Sequence, residues 1–288
     1  MKTMKLGIYE KALPFNKDIE SILHLTAEAG YSFFEISLDK DRLSRFQWSL
    51  EQKATWLRAS LNSGVNFYNM VLSAHREFPF GSKEAKIREQ ALQIMEQAID
   101  FSASMGIRTI QIAGYYTLEH EKATDDSKKR FLEGMYQSAE LAGKSGVMLG
   151  IENVDRDIIS IEQMKQIIEE VRSPWFKMYP DVGNLAAHHF DVKQSLVESI
   201  DHIIGIHLKD TKDGIFRRVP YGEGIVDFKA VFEVLFEVGY DGPFGLEMWN
   251  DNSENSLEII KEARKWILDQ MPQQARSQNL MSNMIIKK

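Results

Sequence analysis

Apolar stretches of strand length alternate with amphipathic stretches of helix length eight times along the chain. The first unit sets Lys5 to Tyr9 ahead of Ile19, Ile22, Leu23 and Thr26 at helical spacing. The later strand-like runs end near Ser37, Leu72, Ala113, Glu152, Pro180, His207 and Glu247. Successive ends lie roughly 34 residues apart on average, the size of a βα unit. The helical stretches carry clear stripes, among them Ile161, Met164, Ile167, Ile168 and Val171, and Phe228, Val231, Phe232 and Leu235. Each stripe can cover one side of a parallel barrel.

The punctuation agrees. Gly30, Gly64, Gly106, Gly146 and Gly239 each fall between a helical stretch and the next strand, where a left-handed helix cap is expected. No Pro/Ser/Gly-rich linker divides the chain and no short repeat is visible. The pattern predicts an α/β protein built as a single (β/α)8 TIM barrel over residues 1–271, a size such barrels commonly fill as one domain. A tail, 272–288, is polar first and then apolar at Leu280, Met281, Met284, Ile285 and Ile286. It reads as a frayed end or as a packing arm for a partner subunit.

Composition narrows the function. Of the 288 residues, 43% are hydrophobic and 27% charged, which is ordinary globular composition, and the net charge of −7 disfavours nucleic acid and anionic membranes as partners. The absence of Cys removes disulfides, thiolate nucleophiles and Cys-based metal sites together. Met1 to Glu10 lacks the apolar core of a signal peptide, and no apolar run is long enough to span a bilayer, so the cytoplasm is the expected location.

A barrel of this kind places its active site at the C-terminal strand ends. Four consecutive predicted strands end on a polar residue: Glu152, Asp181, His207 and Glu247. Neighbouring strands lie about 4.8 Å apart, so the four tips converge on one volume. Any one of these carboxylates alone would pass for a helix N-cap. Together, three carboxylates and one imidazole form a site suited to one divalent cation, Mn²⁺ first and Zn²⁺, Co²⁺ or Mg²⁺ after it. Without a cation the carboxylates would repel one another and resist ionisation.

The segments Leu6-Gly7-Ile8-Tyr9-Glu10-Lys11, Leu72-Ser73-Ala74-His75-Arg76, Tyr179-Pro180-Asp181-Val182-Gly183-Asn184, His207-Leu208-Lys209-Asp210, Val219-Pro220-Tyr221-Gly222-Glu223-Gly224 and Glu247-Met248-Trp249 resemble those of the bacterial L-ribulose-5-phosphate 3-epimerases of the xylose isomerase-like barrel superfamily. The resemblance runs from Lys5 to about Met271. It implies interconversion of L-ribulose 5-phosphate and L-xylulose 5-phosphate, in a route such as anaerobic L-ascorbate breakdown. It further implies a divalent metal held by Glu152, Asp181, His207 and Glu247, with Glu152 and Glu247 also serving as catalytic acid and base on opposite faces of the sugar, through a cis-enediolate. A carboxylate of ordinary pKa, about 4.3, is too weak a base to take a C–H proton unaided, so the metal and the bases are needed together.

Substrate contacts are drawn more widely. His75, at the end of strand three, is expected to bond the sugar or phosphate. Asn184 follows Asp181 by three residues and is a candidate for a substrate oxygen, although free-ketose 3-epimerases are expected to carry His there. Lys209 points to the same side as His207 if the strand continues. Arg217 and Arg218 are candidate phosphate contacts, and Trp249 is placed to wall the pocket. Gly222-Glu223-Gly224 reads as a turn feeding a helix capped by Asp227. His188, His189 and His202 are assigned no direct role. The expected partner is a small sugar phosphate, and fold-level analogy points to a homodimer. An apurinic-site endonuclease on the same barrel would need more histidine and a basic face. An aldose-ketose isomerase, a free-ketose 3-epimerase and a non-catalytic sugar-phosphate sensor stay open as competing functions.

Overall fold

The computed structural model describes residues 5–250 and 252–272, so the tail, from residue 273 on, lies outside the described residues. Ten strands are present among the described residues: β1 (Leu6–Tyr9), β2 (Phe33–Ser37), β3 (Asn66–Leu72), β4 (Thr109–Ala113), β5 (Met148–Glu152), β6 (Phe176–Met178), β7 (Ile206–Leu208), β8 (Asp210–Lys212), β9 (Ile215–Val219) and β10 (Phe244–Leu246). Eight of them form one parallel sheet in the order β6-β5-β4-β3-β2-β1-β10-β7. Two isolated parallel bridges, Met178 to Ile203 and Asp181 to His207, span the remaining seam between β6 and β7. The sheet thereby curls onto itself as the (β/α)8 barrel that the alternation predicts.

The helices are α1 (Ile19–Glu28), α2 (Leu50–Ser63), α3 (Ala85–Met105), α4 (Asp125–Ser145), α5 (Ile161–Val171), α6 (Val182–Ala187), α7 (Val192–Val197), α8 (Phe228–Glu237) and α9 (Ser256–Asp269). Their apolar stripes are the buried faces: Ile161, Met164, Ile167, Ile168 and Val171 in α5, and Phe228, Val231, Phe232 and Leu235 in α8. Burying such side chains contributes about 1.5–3 kcal/mol each. All five punctuating glycines have positive φ, and Gly64, Gly106 and Gly146 are themselves the C-caps of α2, α3 and α4. Helix α5 ends on Arg172 at φ 50° without a glycine, so that boundary carries no composition signal.

Two strand tips differ from expectation. Strand β6 stops at Met178, because Pro180 has no N–H to donate and Asp181 is already the N-cap of α6, its Oδ1 accepting from the Asn184 N–H at 2.7 Å. Strand β10 stops at Leu246, and the backbone of Glu247 is tied by its N–H to the Leu208 carbonyl, 2.9 Å.

The chain after His207 does not pass straight into a helix but makes the hairpin β8–β9 above the barrel mouth. The buried Asp210 carboxylate organises the turn beyond this hairpin, accepting from the Gly222 and Gly224 N–H groups at 2.9 and 3.0 Å. A Cβ on Gly224 would lie 1.9 Å from Asp210 Oδ1, so the Gly-Glu-Gly turn is the shape that wraps this carboxylate. The turn then feeds α8, whose cap is Asp227, accepting from the Ala230 N–H at 3.0 Å. No helix among the described residues is long and apolar enough to cross a membrane.

Candidate active site

The four strand-end residues meet. One ligand atom from each of Glu152, Asp181, His207 and Glu247 lies within 4.8 Å of the other three. His207 is fully buried, with Nδ1 2.7 Å from Glu152 Oε1 and 3.8 Å from Glu247 Oε2. Gln111 of β4 donates to Glu152 Oε2 at 2.6 Å and orients that carboxylate. Asn153 holds the Asp181 backbone, its Oδ1 accepting from the Asp181 N–H and its amide donating to the Asp181 carbonyl.

Lys209 enters the same cluster. Its Nζ lies 3.1 Å from Glu247 Oε2 and 3.2 Å from Asp181 Oδ2, and only 4% of the residue is exposed. Burial works against each charge here. It pushes the carboxyls of Glu152 and Asp181 upward, Asp181 well above the usual range because Glu247 and Glu152 crowd it. Burial also raises Glu247, but Lys209, His207 and a hydrogen bond from Asp181 outweigh it and hold Glu247 at about 2. Desolvation opposes protonation of His207 and Lys209, yet the surrounding carboxylates raise both well above their ordinary values.

This donor set fits a divalent cation. Asp181 Oδ2 is buried and makes no well-aligned hydrogen bond, its near neighbour being the Lys209 ammonium at 3.2 Å. Three carboxylate oxygens and one imidazole nitrogen converge, and among the described residues the Lys209 ammonium and a protonated His207 are the cations set against them. The four residues can therefore hold a metal ion.

Only two of the four ligands line the cavity above them. That cavity, about 360 Å³, is walled by Glu152, Glu247, Tyr9, Gln111, Arg217 and Trp249 among others, while Asp181 and His207 sit behind it. Its volume lies in the range of small-molecule sites. Trp249 packs edge-on against Tyr9, 6.4 Å between ring centroids. A second cavity of about 430 Å³ adjoins the first, and Lys11, Asp39, Arg218 and Trp249 line both. Arg218 has φ 61°, a left-handed backbone that a non-glycine residue adopts at a cost of order 1 kcal/mol or more.

Several expected contacts are placed elsewhere. His75 does not reach the cavity: β3 ends at Leu72, and the following turn points the ring at α3, where Nε2 meets the Ala91 carbonyl at 3.1 Å and the ring packs on Phe80. Arg76 lines the mouth in its place. Asn184 is spent on structure, donating from Nδ2 to the Asn153 carbonyl at 2.8 Å, and does not line the cavity. Lys209 belongs to the carboxylate cluster, not to the cavity wall. Arg217 lines the cavity, with its guanidinium 3.4 Å from the Tyr115 hydroxyl and 3.9 Å from Asp155. His188 bonds the Val154 carbonyl and packs on Phe216.

Glu35, Gln111, Tyr179 and Lys11 join the site without having stood out as candidates in the sequence. The first two carry a signal there, since each is a polar residue in the middle of an apolar strand, Phe-Phe-Glu-Ile-Ser and Thr-Ile-Gln-Ile-Ala.

Comparison with known proteins agrees with the barrel fold. Residues 23–270 match the family model described as xylose isomerase-like TIM barrel. The chain is 42% identical over 273 residues to L-ribulose-5-phosphate 3-epimerase UlaE of Escherichia coli (strain K12), covering 94% of this chain and 96% of the relative. Among solved structures, an L-ribulose 3-epimerase superposes with a TM-score of 0.79 at 18% identity, covering 99% of both chains. The D-allulose 3-epimerase from Methylomonas sp., in complex with D-allulose, superposes with a TM-score of 0.78 at 17% identity, covering 94% of this chain and 98% of that one. At that identity the two structures speak for the fold, whereas the family match and the 42% relative extend over nearly the whole sequence: the chain belongs to the xylose isomerase-like TIM barrel family.

Proposed function

We propose that this protein is an L-ribulose-5-phosphate 3-epimerase, inverting C3 to interconvert L-ribulose 5-phosphate and L-xylulose 5-phosphate. The observation that carries the reading is the division of the cluster. Glu152 and Glu247 face the cavity while Asp181 and His207 are sealed behind them. Inversion next to a ketone needs two proton-transfer groups, and these are the two carboxylates that a ketose in the cavity can touch. The name of the 42% identical relative supports the same substrate pair.

The proton balance is simple. One glutamate takes the C3 proton, the electron pair passes into an enediolate, and the other glutamate returns a proton to C3 from the opposite face. Burial favours the protonated form of Glu152, whereas Lys209 and His207 keep Glu247 ionised, so the two carboxyls are not equivalent before a cation binds. A divalent cation held by Glu152, Asp181, His207 and Glu247, Mn²⁺ being the best match to this donor set, would supply electrostatic stabilisation of charge on the ketose oxygens. Trp249 and Tyr9 keep water from one side of the sugar. Lys11, ion-paired with Asp39 at 2.7 Å, and Arg218 line both cavities and are our candidates for contact with the 5-phosphate.

The test is conversion. Protein reconstituted with Mn²⁺ is incubated with L-xylulose 5-phosphate and the products are resolved by NMR. L-ribulose 5-phosphate is the expected product. An aldopentose phosphate would make the protein an isomerase, and unchanged substrate would make it a binder.

A further inference from the structure

We infer that Glu35 is a positioning residue that fixes the tautomer and tilt of His207 at the carboxylate cluster. The inference rests on the reading of that cluster as a cation site. Glu35 is in the middle of β2, inside the barrel and fully buried, below the residues that face the cavity. An ionisable group there is costly unless something uses it.

Its two carboxylate oxygens have different surroundings. Oε1 accepts from the Tyr179 hydroxyl at 2.7 Å and from the Asn69 amide at 2.9 Å. Oε2 has no hydrogen bond of good alignment and faces His207 Nε2, itself without an aligned partner, at 3.3 Å. The contact is made possible by Gly245, because a Cβ at that position would lie 2.3 Å from Glu35 Oε2. Tyr179 packs edge-on against the His207 ring, 4.9 Å between centroids, so one side chain braces both partners.

The imidazole therefore spans two carboxylates, Nδ1 toward the ligand cluster and Nε2 toward Glu35. A cation at Nδ1 needs the lone pair there, which puts the ring proton on Nε2, and Oε2 of Glu35 is the acceptor waiting for it. A buried carboxylate serving only as a packing group would use both oxygens on the core; here the core uses one.

The test is Glu35→Gln against Glu35→Ala. With Tyr179 and Asn69 both donating at the Oε1 position, the amide oxygen of the Glu35→Gln side chain settles there and its NH₂ turns toward Nε2. Nε2 must then accept, the proton moves to Nδ1, and the lone pair is lost to the cation. Affinity for Mn²⁺ or Zn²⁺, measured by competition with a chromophoric chelator, is expected to fall about 10- to 100-fold in Glu35→Gln. Glu35→Ala introduces no donor and is expected to lose less affinity, while losing more thermal stability. In the Zn²⁺-loaded parent protein the ¹⁵N resonances of His207 should show a proton on Nε2 and none on Nδ1, a signature that should be lost in Glu35→Gln at the same Zn²⁺ concentration. A merely structural Glu35 gives the reverse order of affinities, Ala weaker than Gln, and an unchanged tautomer; that result overturns the inference. His207→Ala separates the levels. If it lowers cation affinity while Glu35→Gln does not, the inference alone fails. If it binds the cation as tightly as the parent, the cation-site reading fails and the inference with it.

Discussion

Asp181 and His207 form one of the two parallel bridges that close the seam of the barrel, and both carry ligand atoms of the candidate cation site. The His207 N–H donates to the Pro180 carbonyl at 2.9 Å in the same contact. Closing the barrel and aligning two of the four ligands are thus one structural event. The other two ligands come from β5 and from the residue after β10, on either side of this seam.

His207→Ala is expected to fold, because the bridge is made by backbone atoms. It should lose cation affinity by more than tenfold. It also strands Glu35 and Glu152 without their buried partner, at a cost on the order of 3 kcal/mol. Chelator competition and chemical denaturation measure the two losses separately. Unchanged cation affinity in the folded variant would make His207 a structural histidine.

Glu152→Gln and Glu247→Gln should each lower kcat by about 10³-fold, within the span of general acid-base contributions. Because both side chains belong to the cation cluster, cation content has to be measured for each variant before the loss is assigned to a missing base. One variant should still exchange the C3 proton of one epimer through its surviving carboxylate. Normal epimerisation by cation-loaded Glu247→Gln would remove Glu247 from the mechanism.

Lys11→Ala and Arg218→Ala should lower kcat/KM for L-ribulose 5-phosphate by ten- to a hundredfold, corresponding to roughly 1.4–3 kcal/mol of charge-assisted hydrogen bonding. Turnover of free L-ribulose should change little. Equal losses on both substrates would place the phosphate elsewhere, with Arg76 and Arg217 across the mouth as the next cations to substitute.

His75 supplies a pH dependence of stability. Burial holds its pKa at about 4, against an ordinary value of 6.5, and the Ala91 carbonyl only partly offsets this. The unfolded chain therefore binds a proton that the folded one refuses as the pH falls below 6.5, and stability is lost progressively down to about pH 4. The contribution is on the order of 3 kcal/mol. In His75→Gln the denaturation midpoint should change less between about pH 7 and pH 4. An identical acid slope would show that His75 is not the group responsible.

Much of this is legible in the sequence because period and punctuation are local. The stripes of α5 and α8 and the glycine caps of α2, α3 and α4 report on helices whose burial follows from their own residues. The convergence of Glu152, Asp181, His207 and Glu247 is legible because consecutive barrel strands must be neighbours. The substrate contacts are less legible. Whether His75 or Arg76 faces the cavity depends on one turn of backbone after Leu72, which periodicity does not resolve. Lys209 lies on the predicted side, but its partner is set by the depth of the cluster. Glu35 escapes a search for strand-terminal polar residues, since it lies mid-strand and its neighbours Tyr179, Asn69 and His207 come from other strands and strand ends.

Under the proposed function, Glu152 and Glu247 invert C3 of a pentulose 5-phosphate by proton transfer. The most direct measurement is the reaction of Mn²⁺-loaded protein with L-xylulose 5-phosphate in D₂O, followed by NMR of the products. L-ribulose 5-phosphate carrying deuterium at C3 is the expected product. Product formed with no deuterium at C3 at any stage of the approach to equilibrium, or label appearing only at C1 with an aldose, would contradict the proposed function.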